Sequence, residues 1–272
     1  MNWIRMYHLN NNDKDKDKDK DKDKDKDKDK DKADTADYRR SHLAVGNYYD
    51  RKLAADPFDA YMAFWEARYI SEMLGKQFPA GVGRYLDFAC GTGRVTQLIA
   101  PLARESVAVD ISSTMLTEAR AKCPGTEFHL GDITRQDMPI GQFDLASAFR
   151  FFGNAQDELR DLAMAAIAVR VRAGGYFLLN NHRNPHALFQ WLHRLTGGAV
   201  DVDLHLPKMR ALLIRHGFEI VRIRPIGAWM YRSRLMNVQR PESAACVWLE
   251  RAFASAMLAP TAPDMVILAR KR

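Results

Sequence analysis

The sequence predicts an α/β fold in which helices cover both faces of a mostly parallel β-sheet. Three observations support this prediction. Short, largely apolar runs with the character of strands recur along the chain, at 85–88, 106–110, 127–133, 142–152 and 176–180. The segments between them have the length or the apolar spacing of helices, which favours parallel strands joined by crossover helices. A glycine turn follows the first run, as expected where a strand passes directly into a helix.

The first apolar run and its glycine turn predict a nucleotide-type cofactor site. Residues 85–96 read YLDFACGTGRVT, in which the strand-like start is followed by Gly91 and Gly93. A helix is predicted from Arg94 to Ala100. A strand, a glycine turn and a helix start bring backbone N–H groups and the positive end of the helix dipole close to a ligand.

Two common cofactor motifs do not fit this turn. The dinucleotide motif needs a glycine or alanine at its third small position, where this chain has Thr96. A P-loop needs a lysine followed by serine or threonine, and residues 85–96 contain no lysine. The feature that remains is an acid, Asp87, placed before the two glycines.

Two more strand-like runs end in carboxylates. Residues 106–110 read SVAVD, and Asp110 stands where an acid is expected to accept hydrogen bonds from two ribose hydroxyls. Residues 127–133 read EFHLGDI and contain Asp132. A single aspartate after a strand is usually only a helix cap, but three in this series after a glycine turn favour a bound nucleoside.

This series resembles the motifs of the class I S-adenosylmethionine (SAM) dependent methyltransferases. The family has an acid followed by alternating glycines, and here Ala89 stands where the first glycine is usual; Asp144 matches the acid that opens motif IV. The resemblance covers about residues 57–272 and implies SAM as the cofactor. It implies a Rossmann-like fold with a mostly parallel seven-stranded sheet and an antiparallel last strand. The resemblance implies that the Asp132 carboxylate faces the amino group of the adenine. The cofactor-binding residues that it implies are Asp87, Ala89, Cys90, Gly91, Gly93, Asp110, Ile111, Met115, Asp132, Ile133 and Phe149.

The second half of the chain continues the pattern. A helix is predicted over 157–172, before Gly174-Gly175, and a fifth strand over 176–180. A further helix and two strands complete the predicted sheet, at 207–216, 218–225 and 264–269. The last two strands resemble the antiparallel hairpin that ends the family's fold, here separated by an insertion at about 227–263.

The N-terminal region is predicted to lie outside the core. Residues 13–32 are ten Asp-Lys repeats with no net charge and no apolar side chain, so residues 1–33 are predicted to be a disordered low-complexity tail. We interpret it as a tolerated extension, with an interaction tail as the alternative. Residues 34–80 are predicted to form a helical lid, and residues 81–272 the SAM-binding core.

Composition limits the classes of protein that fit. The 272 residues are 47% hydrophobic, with no apolar run long enough to span a membrane and no secretory signal in the first twelve residues. The three cysteines are far apart and form no metal or redox motif, which suits a reducing cytosol. The sequence therefore predicts a cytoplasmic protein without a membrane partner.

The net charge of +7 belongs to the chain outside the Asp-Lys repeats. Many of its arginines fall after residue 220, which could indicate an anionic substrate or nucleic acid. A solvated basic surface is the simpler interpretation, because no RNA-binding motif accompanies these arginines. Residues 147–154 read SAFRFFGN and lack the proline-containing motif IV of enzymes that methylate bases in nucleic acids.

The acceptor is expected near the ends of the fourth and fifth strands and beneath the lid. His182 follows the fifth strand and is a candidate general base near neutral pH, although a capping or surface histidine is the alternative. The candidate substrate-contacting residues are Tyr48, Tyr49, Arg150, Phe152, His182 and Trp229.

The sequence therefore predicts an enzyme that transfers a methyl group to an oxygen or nitrogen atom of a small molecule, such as a sugar, a polyketide or another metabolite. An RNA methyltransferase is the nearer alternative, and steep salt dependence of RNA binding would favour it. A protein that binds SAM without catalysis and acts as a regulatory partner is the alternative from another class.

Overall fold

A computed structural model describes residues 38–39, 55–195, 203–230 and 241–272. The predicted Asp-Lys tail and the candidate acceptor residues Tyr48 and Tyr49 lie outside the described residues. Within the described residues, no helix is both long and apolar enough to cross a membrane.

The described part of the chain is built on one seven-stranded sheet. Its strands are β1 (Val82–Phe88), β2 (Ala103–Asp110), β3 (Glu127–Leu130), β4 (Phe143–Ala148), β5 (Val171–Asn180), β6 (Phe218–Ile226) and β7 (Asp264–Lys271). The strand order is β3-β2-β1-β4-β5-β7-β6. Neighbours among β1 to β5 pair in parallel, and β7 pairs antiparallel with both β5 and β6. This arrangement confirms the predicted fold class.

Helices lie on both faces of the sheet. They are α1 (Pro57–Gln77), α2 (Thr96–Ile99), α3 (Ser113–Lys122), α4 (Asp157–Arg170), α5 (Leu188–Leu195), α6 (Leu206–Arg215) and α7 (Ala244–Ala252). One apolar core joins one face of the strands to α4 and α6, and a second core joins the other face to α1.

Helix α1 begins and packs as its sequence dictates. The Asp56 carboxylate accepts hydrogen bonds from the backbone N–H groups of Phe58 and Asp59, which caps the helix start, and Pro57 occupies the first turn. Tyr61, Trp65 and Tyr69 recur at helical spacing and are buried on one face of the helix. This face packs against the sheet, and Glu66 of the same helix accepts a hydrogen bond from Asn180, at the carboxyl end of β5.

The structure corrects three predicted boundaries. Strand β4 ends at Ala148, not at residue 152, because Arg150 adopts a left-handed conformation (φ 57°) that a strand cannot continue through. Strand β5 begins at Val171, so the pair Gly174-Gly175 lies inside the strand, where its pairing with β4 is irregular. The helix predicted over 157–172 accordingly ends at Arg170.

Candidate active site

A cleft lies at the carboxyl ends of β1 to β4. The strand order reverses here, because β2 and β4 flank β1 on opposite sides, and ligands of open α/β sheets bind at such a point. The structure brings ten of the eleven predicted cofactor-binding residues into the lining of this cleft. They are Asp87, Ala89, Cys90, Gly91, Asp110, Ile111, Met115, Asp132, Ile133 and Phe149.

The turn after β1 needs the unusual backbone that its small residues allow. Ala89, Gly91 and Gly93 have φ angles of 52°, 56° and 78°. Alanine can adopt this left-handed conformation only at a cost, so Ala89 carries strain where the related family usually has glycine. Gly93 packs on α3 instead of lining the cleft: a Cβ atom there would lie 3.1 Å from both the Cα and the Cβ of Ala119.

Asp87 is a buried cross-link beneath this turn. Its carboxylate accepts hydrogen bonds of 2.6 Å from the hydroxyl of Thr96, at the start of α2, and from the hydroxyl of Ser147, on β4. The Ser147 hydroxyl also bonds the hydroxyl of Tyr85 at 2.7 Å. This network joins β1, β4 and α2 at the floor of the cleft, and we infer that Asp87 shapes the turn.

Burial raises the pKa of Asp87 to about 6, against the lowering effect of the Ser147 and Thr96 hydroxyls. Because this pKa lies above that of an aspartate in an unfolded chain, the stability that proton uptake contributes is present below about pH 4 and is lost as the pH rises through 6. We expect Asp87→Asn to gain thermal stability relative to the wild type between pH 4 and pH 7. Melting curves at four pH values test this, and a constant difference between the two proteins would contradict it.

Asp110, at the end of β2, connects the glycine turn to the start of α3. One carboxylate oxygen accepts a 2.7 Å hydrogen bond from the Gly91 N–H, and the other accepts a 2.9 Å bond from the Ser112 N–H. Asp110 also lines the cleft, so its carboxylate lies where it can accept hydrogen bonds from the hydroxyl groups of a ligand. The placement fits the ribose-binding role that the sequence predicts for Asp110.

Asp132 is held on two sides at the far rim of the cleft. The backbone N–H and the hydroxyl of Thr134 donate to one of its oxygens, at 2.9 and 2.5 Å. The Arg39 Nε pairs with the other oxygen at 2.8 Å. Burial alone would raise the pKa of Asp132, but the bonds from Thr134 and the charge of Arg39 hold it below its usual range. The carboxylate is therefore ionised at neutral pH.

Two arginines line the opposite end of the cleft, and each pairs with a carboxylate of α1. The Arg94 Nη1 lies 2.8 Å from the Glu66 Oε2, and the Arg150 Nη1 lies 3.1 Å from the Asp59 Oδ1. The left-handed backbone of Arg150 is held by its N–H, which donates to the Asn180 side chain at 2.7 Å. We call this region, around Arg94 and Arg150, the acceptor end of the cleft.

His182 lies in a polar cluster behind the acceptor end. Its Nδ1 is 3.2 Å from the carboxylate of Asp264, which also accepts a 3.2 Å bond from Asn180. Burial and the nearby charge of Arg150 lower the pKa of His182 to about 3, and burial raises the pKa of Asp264 to about 6. The imidazole is therefore neutral at pH 7 and can accept a proton, but it is a weak base.

Two predicted acceptor residues are not in the lining of the cleft. Phe152 is completely buried and packs against Phe151 and Phe177 in the core, because the chain turns inward after β4. The Trp229 indole N–H donates to Glu250 at 2.9 Å, so its ring joins α7 to α1. Of the predicted acceptor residues that the structure describes, Arg150 lines the cleft and His182 lies behind it.

Sequence reasoning missed several cleft and acceptor-end residues: Tyr38, Arg39, Asp59, Glu66, Arg94, Asn180 and Asp264. One of them could have been predicted from the sequence. Glu66 is an acid on the aromatic face of α1, next to Trp65, and a charge at a buried helical position requires a buried partner. The partners themselves follow no local pattern.

Comparison with known proteins gives a consistent result. Residues 86–175 match the family model described as a methyltransferase domain. The magnesium-protoporphyrin O-methyltransferase of Rhodobacter capsulatus is 28% identical over 168 residues, which cover 57% of this chain and 70% of that relative.

Two solved structures share the fold. Magnesium protoporphyrin IX methyltransferase from Synechocystis PCC 6803, with bound S-adenosylhomocysteine (SAH), has a TM-score of 0.61 at 14% identity and covers 86% of this chain and 98% of its own. The N-methyltransferase NodS from Bradyrhizobium japonicum WM9, in complex with SAH, has a TM-score of 0.54 at 13% identity and covers 85% and 95%. At these identities the likeness concerns the fold.

Proposed function

We propose that this chain, in which residues 86–175 match the methyltransferase-domain model, is a SAM-dependent methyltransferase that methylates an oxygen or nitrogen atom of a small molecule. The observation that carries this proposal is that α1 lies against the acceptor end. Its carboxylates pair with Arg94 and Arg150, whose side chains are only 16% and 8% exposed. An RNA strand needs basic side chains open to solvent, so this end of the cleft suits a small acceptor better.

The cleft fits the cofactor that the fold family uses. Gly91 lets the backbone approach a ligand closely, and Asp110 and Asp132 place carboxylates at two successive strand ends. Carboxylates in these positions suit the hydroxyl groups of a ribose and the amino group of an adenine. When bound, SAM supplies a methyl group that is already activated as a sulfonium.

With an activated donor, the chain mainly has to hold the acceptor in line. Positioning of this kind can account for about 7–11 kcal/mol of a reaction barrier. The residues available for it are Arg150, fixed through its backbone by Asn180, and Arg94, fixed by Glu66. We propose that these two side chains orient the acceptor.

An oxygen that is already ionised, such as a carboxylate, is the acceptor that we favour. Such an oxygen needs no base, which agrees with the low pKa of His182, and it can compete with the carboxylates of Glu66 and Asp59 for the guanidinium groups of Arg94 and Arg150. The relative from Rhodobacter capsulatus is named as an O-methyltransferase of a small molecule, and this supports the proposal.

Transfer of a radioactive methyl group tests the proposal directly. The protein should label small carboxylates from a metabolite panel when it is supplied with methyl-labelled SAM, and it should leave RNA unlabelled. Labelling of RNA, with binding that weakens steeply as salt rises, would instead establish an RNA methyltransferase. SAH binding without any transfer would favour the regulatory alternative.

We expect His182→Gln to retain most of the turnover of a carboxylate acceptor, because no proton has to leave the acceptor oxygen. The matched control is His186→Gln, which changes an exposed histidine of the same loop. If His182 is a general base for a hydroxyl acceptor, turnover should instead fall by about 10²–10⁴-fold while SAH affinity is unchanged. Kinetics of both variants between pH 5 and 9 decide between these outcomes.

A further inference from the structure

Two residues that precede α1 bridge the two rims of the cleft. Tyr38 and Arg39 both line it. The Arg39 guanidinium bonds the Asp132 carboxylate and the Thr134 hydroxyl, each at 2.8 Å, beyond the end of β3. The Tyr38 hydroxyl donates to the Arg150 carbonyl oxygen at 3.1 Å, beyond the end of β4. Adjacent residues thus contact loops on opposite sides of the cleft.

The contacts at both rims are specific and partly shielded from water. The side chains of Arg39 and Asp132 are 18% and 16% exposed, so this ion pair is shielded from water more than a surface pair is. The Tyr38 ring packs edge-on against Phe151, with the ring centroids 5.5 Å apart. The bridge therefore combines an ion pair, two hydrogen bonds and an aromatic contact.

Asp132 connects the bridge to the binding of a ligand. It is the carboxylate for which the family resemblance implies contact with the adenine amino group, and in this structure it is bound by Arg39. A molecule that enters this end of the cleft has to pass the pair or rearrange it. A bridge of this kind controls how fast a ligand enters and leaves more than how tightly it binds.

We propose that Tyr38 and Arg39 form a clasp that spans the cleft from Asp132, at its adenosyl end, to Arg150, at its acceptor end, and that this clasp sets the rates of cofactor exchange. This inference rests on the proposed function, since it takes SAM and SAH as the ligands. The clasp consists of Tyr38 and Arg39 with their partners Asp132, Thr134 and Arg150. The Tyr38 contact and the Arg39 contact are both needed, because a bridge that is held at one rim alone no longer spans the cleft.

Stopped-flow measurement of SAH association and dissociation tests the clasp in the full chain. Arg39→Gln removes the ion pair, and Tyr38→Phe removes the hydroxyl but keeps the ring. Each should speed dissociation by about tenfold and also speed association, so that the equilibrium affinity changes less than either rate. The double variant should resemble the single variants, because opening one end already opens the clasp.

Arg135→Gln is the matched control. Arg135 is also near Asp132, but at 3.9 Å and with a side chain 65% exposed, so its loss should leave both rates unchanged. Equal dissociation rates for Arg39→Gln, Arg135→Gln and the wild type would overturn the proposal. Tighter SAH binding by Arg39→Gln with unchanged dissociation would overturn it too, because Arg39 would then merely compete for Asp132.

The same experiment separates the clasp from the function on which it rests. If the wild type shows no saturable SAH binding, the proposed function and the clasp both fail. If the wild type binds SAH and the variants exchange it at wild-type rates, only the clasp fails. Melting curves of the variants should match that of the wild type, since the substitutions lie at the cleft and outside the apolar cores.

Discussion

Replacing Asp110 with alanine should weaken SAH binding by about two orders of magnitude. A carboxylate that accepts hydrogen bonds from two ribose hydroxyls contributes about 1.5–3 kcal/mol for each bond, and about 1.4 kcal/mol corresponds to a factor of ten. The structure adds a second reason: the Gly91 N–H, which donates to Asp110 at 2.7 Å, would lose its partner in the turn. Calorimetric titration with SAH measures the change.

The control for the Asp110 experiment is Asp137→Ala. It removes the same charge from a fully exposed side chain and should leave SAH affinity unchanged. Asp110→Asn, which keeps one carbonyl acceptor, should fall between alanine and the wild type. If Asp110→Ala binds SAH as tightly as the wild type does, Asp110 is only a link between the turn and α3. Saturable binding of NAD without binding of SAH would refute the assignment of the cofactor.

Replacing Gly93 with alanine should lower the melting temperature by roughly 5–15 °C. Two costs combine. A left-handed φ costs an alanine about 1–2 kcal/mol, and inserting a methyl group 3.1 Å from Ala119 of α3 costs a further 1–3 kcal/mol. In a domain of this size each kcal/mol lowers the melting temperature by about 2–4 °C. Thermal denaturation followed by circular dichroism measures the shift.

Two other glycines separate these costs. Gly217 has a φ of 81°, but a methyl group on its Cα would meet no atom within 4 Å, so Gly217→Ala isolates the backbone cost. Gly125 has neither a positive φ nor a close neighbour, so Gly125→Ala should be nearly neutral. The expected order of melting temperatures is Gly125→Ala, then Gly217→Ala, then Gly93→Ala as the lowest. A Gly93→Ala protein as stable as the Gly217→Ala protein would mean that α3 moves to accommodate the methyl group.

The cofactor side of the cleft was predictable because its pattern is local. Each strand end carries its own acid, and parallel strands bring their carboxyl ends to one edge of the sheet, so Asp87, Asp110 and Asp132 had to lie near one another. Their separate tasks were not predictable. Asp87 is buried in hydroxyl hydrogen bonds below the turn, and this depends on Ser147 of a neighbouring strand.

Two residues that were predicted to contact the acceptor, Phe152 and Trp229, do not line the cleft, and contacts distant in the sequence decide the placement of both. A run of aromatic residues after β4 is equally compatible with a strand, a cleft wall or core. The left-handed Arg150 turns the chain inward, which puts Phe152 into the core and keeps Arg150 at the cleft. Trp229 was predicted to contact the acceptor, but the buried carboxylate of Glu250 attracts its indole N–H. The residues that neighbour Phe152 and Trp229 in the sequence do not predict either placement.

The sequence by itself determined the fold class, the parallel strands at the cleft and the kind of cofactor. It could do so because the hydrophobic period, the glycine turn and the acids at strand ends are patterns that lie within a few neighbouring residues. Only the tertiary structure decided how the acceptor end is built. There the Asn180 side chain donates to Glu66 and to Asp264, which are 114 and 84 residues away in the chain. Burying a carboxylate is unfavourable unless partners surround it, and those partners come from elements that meet only when α1 packs on the sheet and β7 pairs with β5.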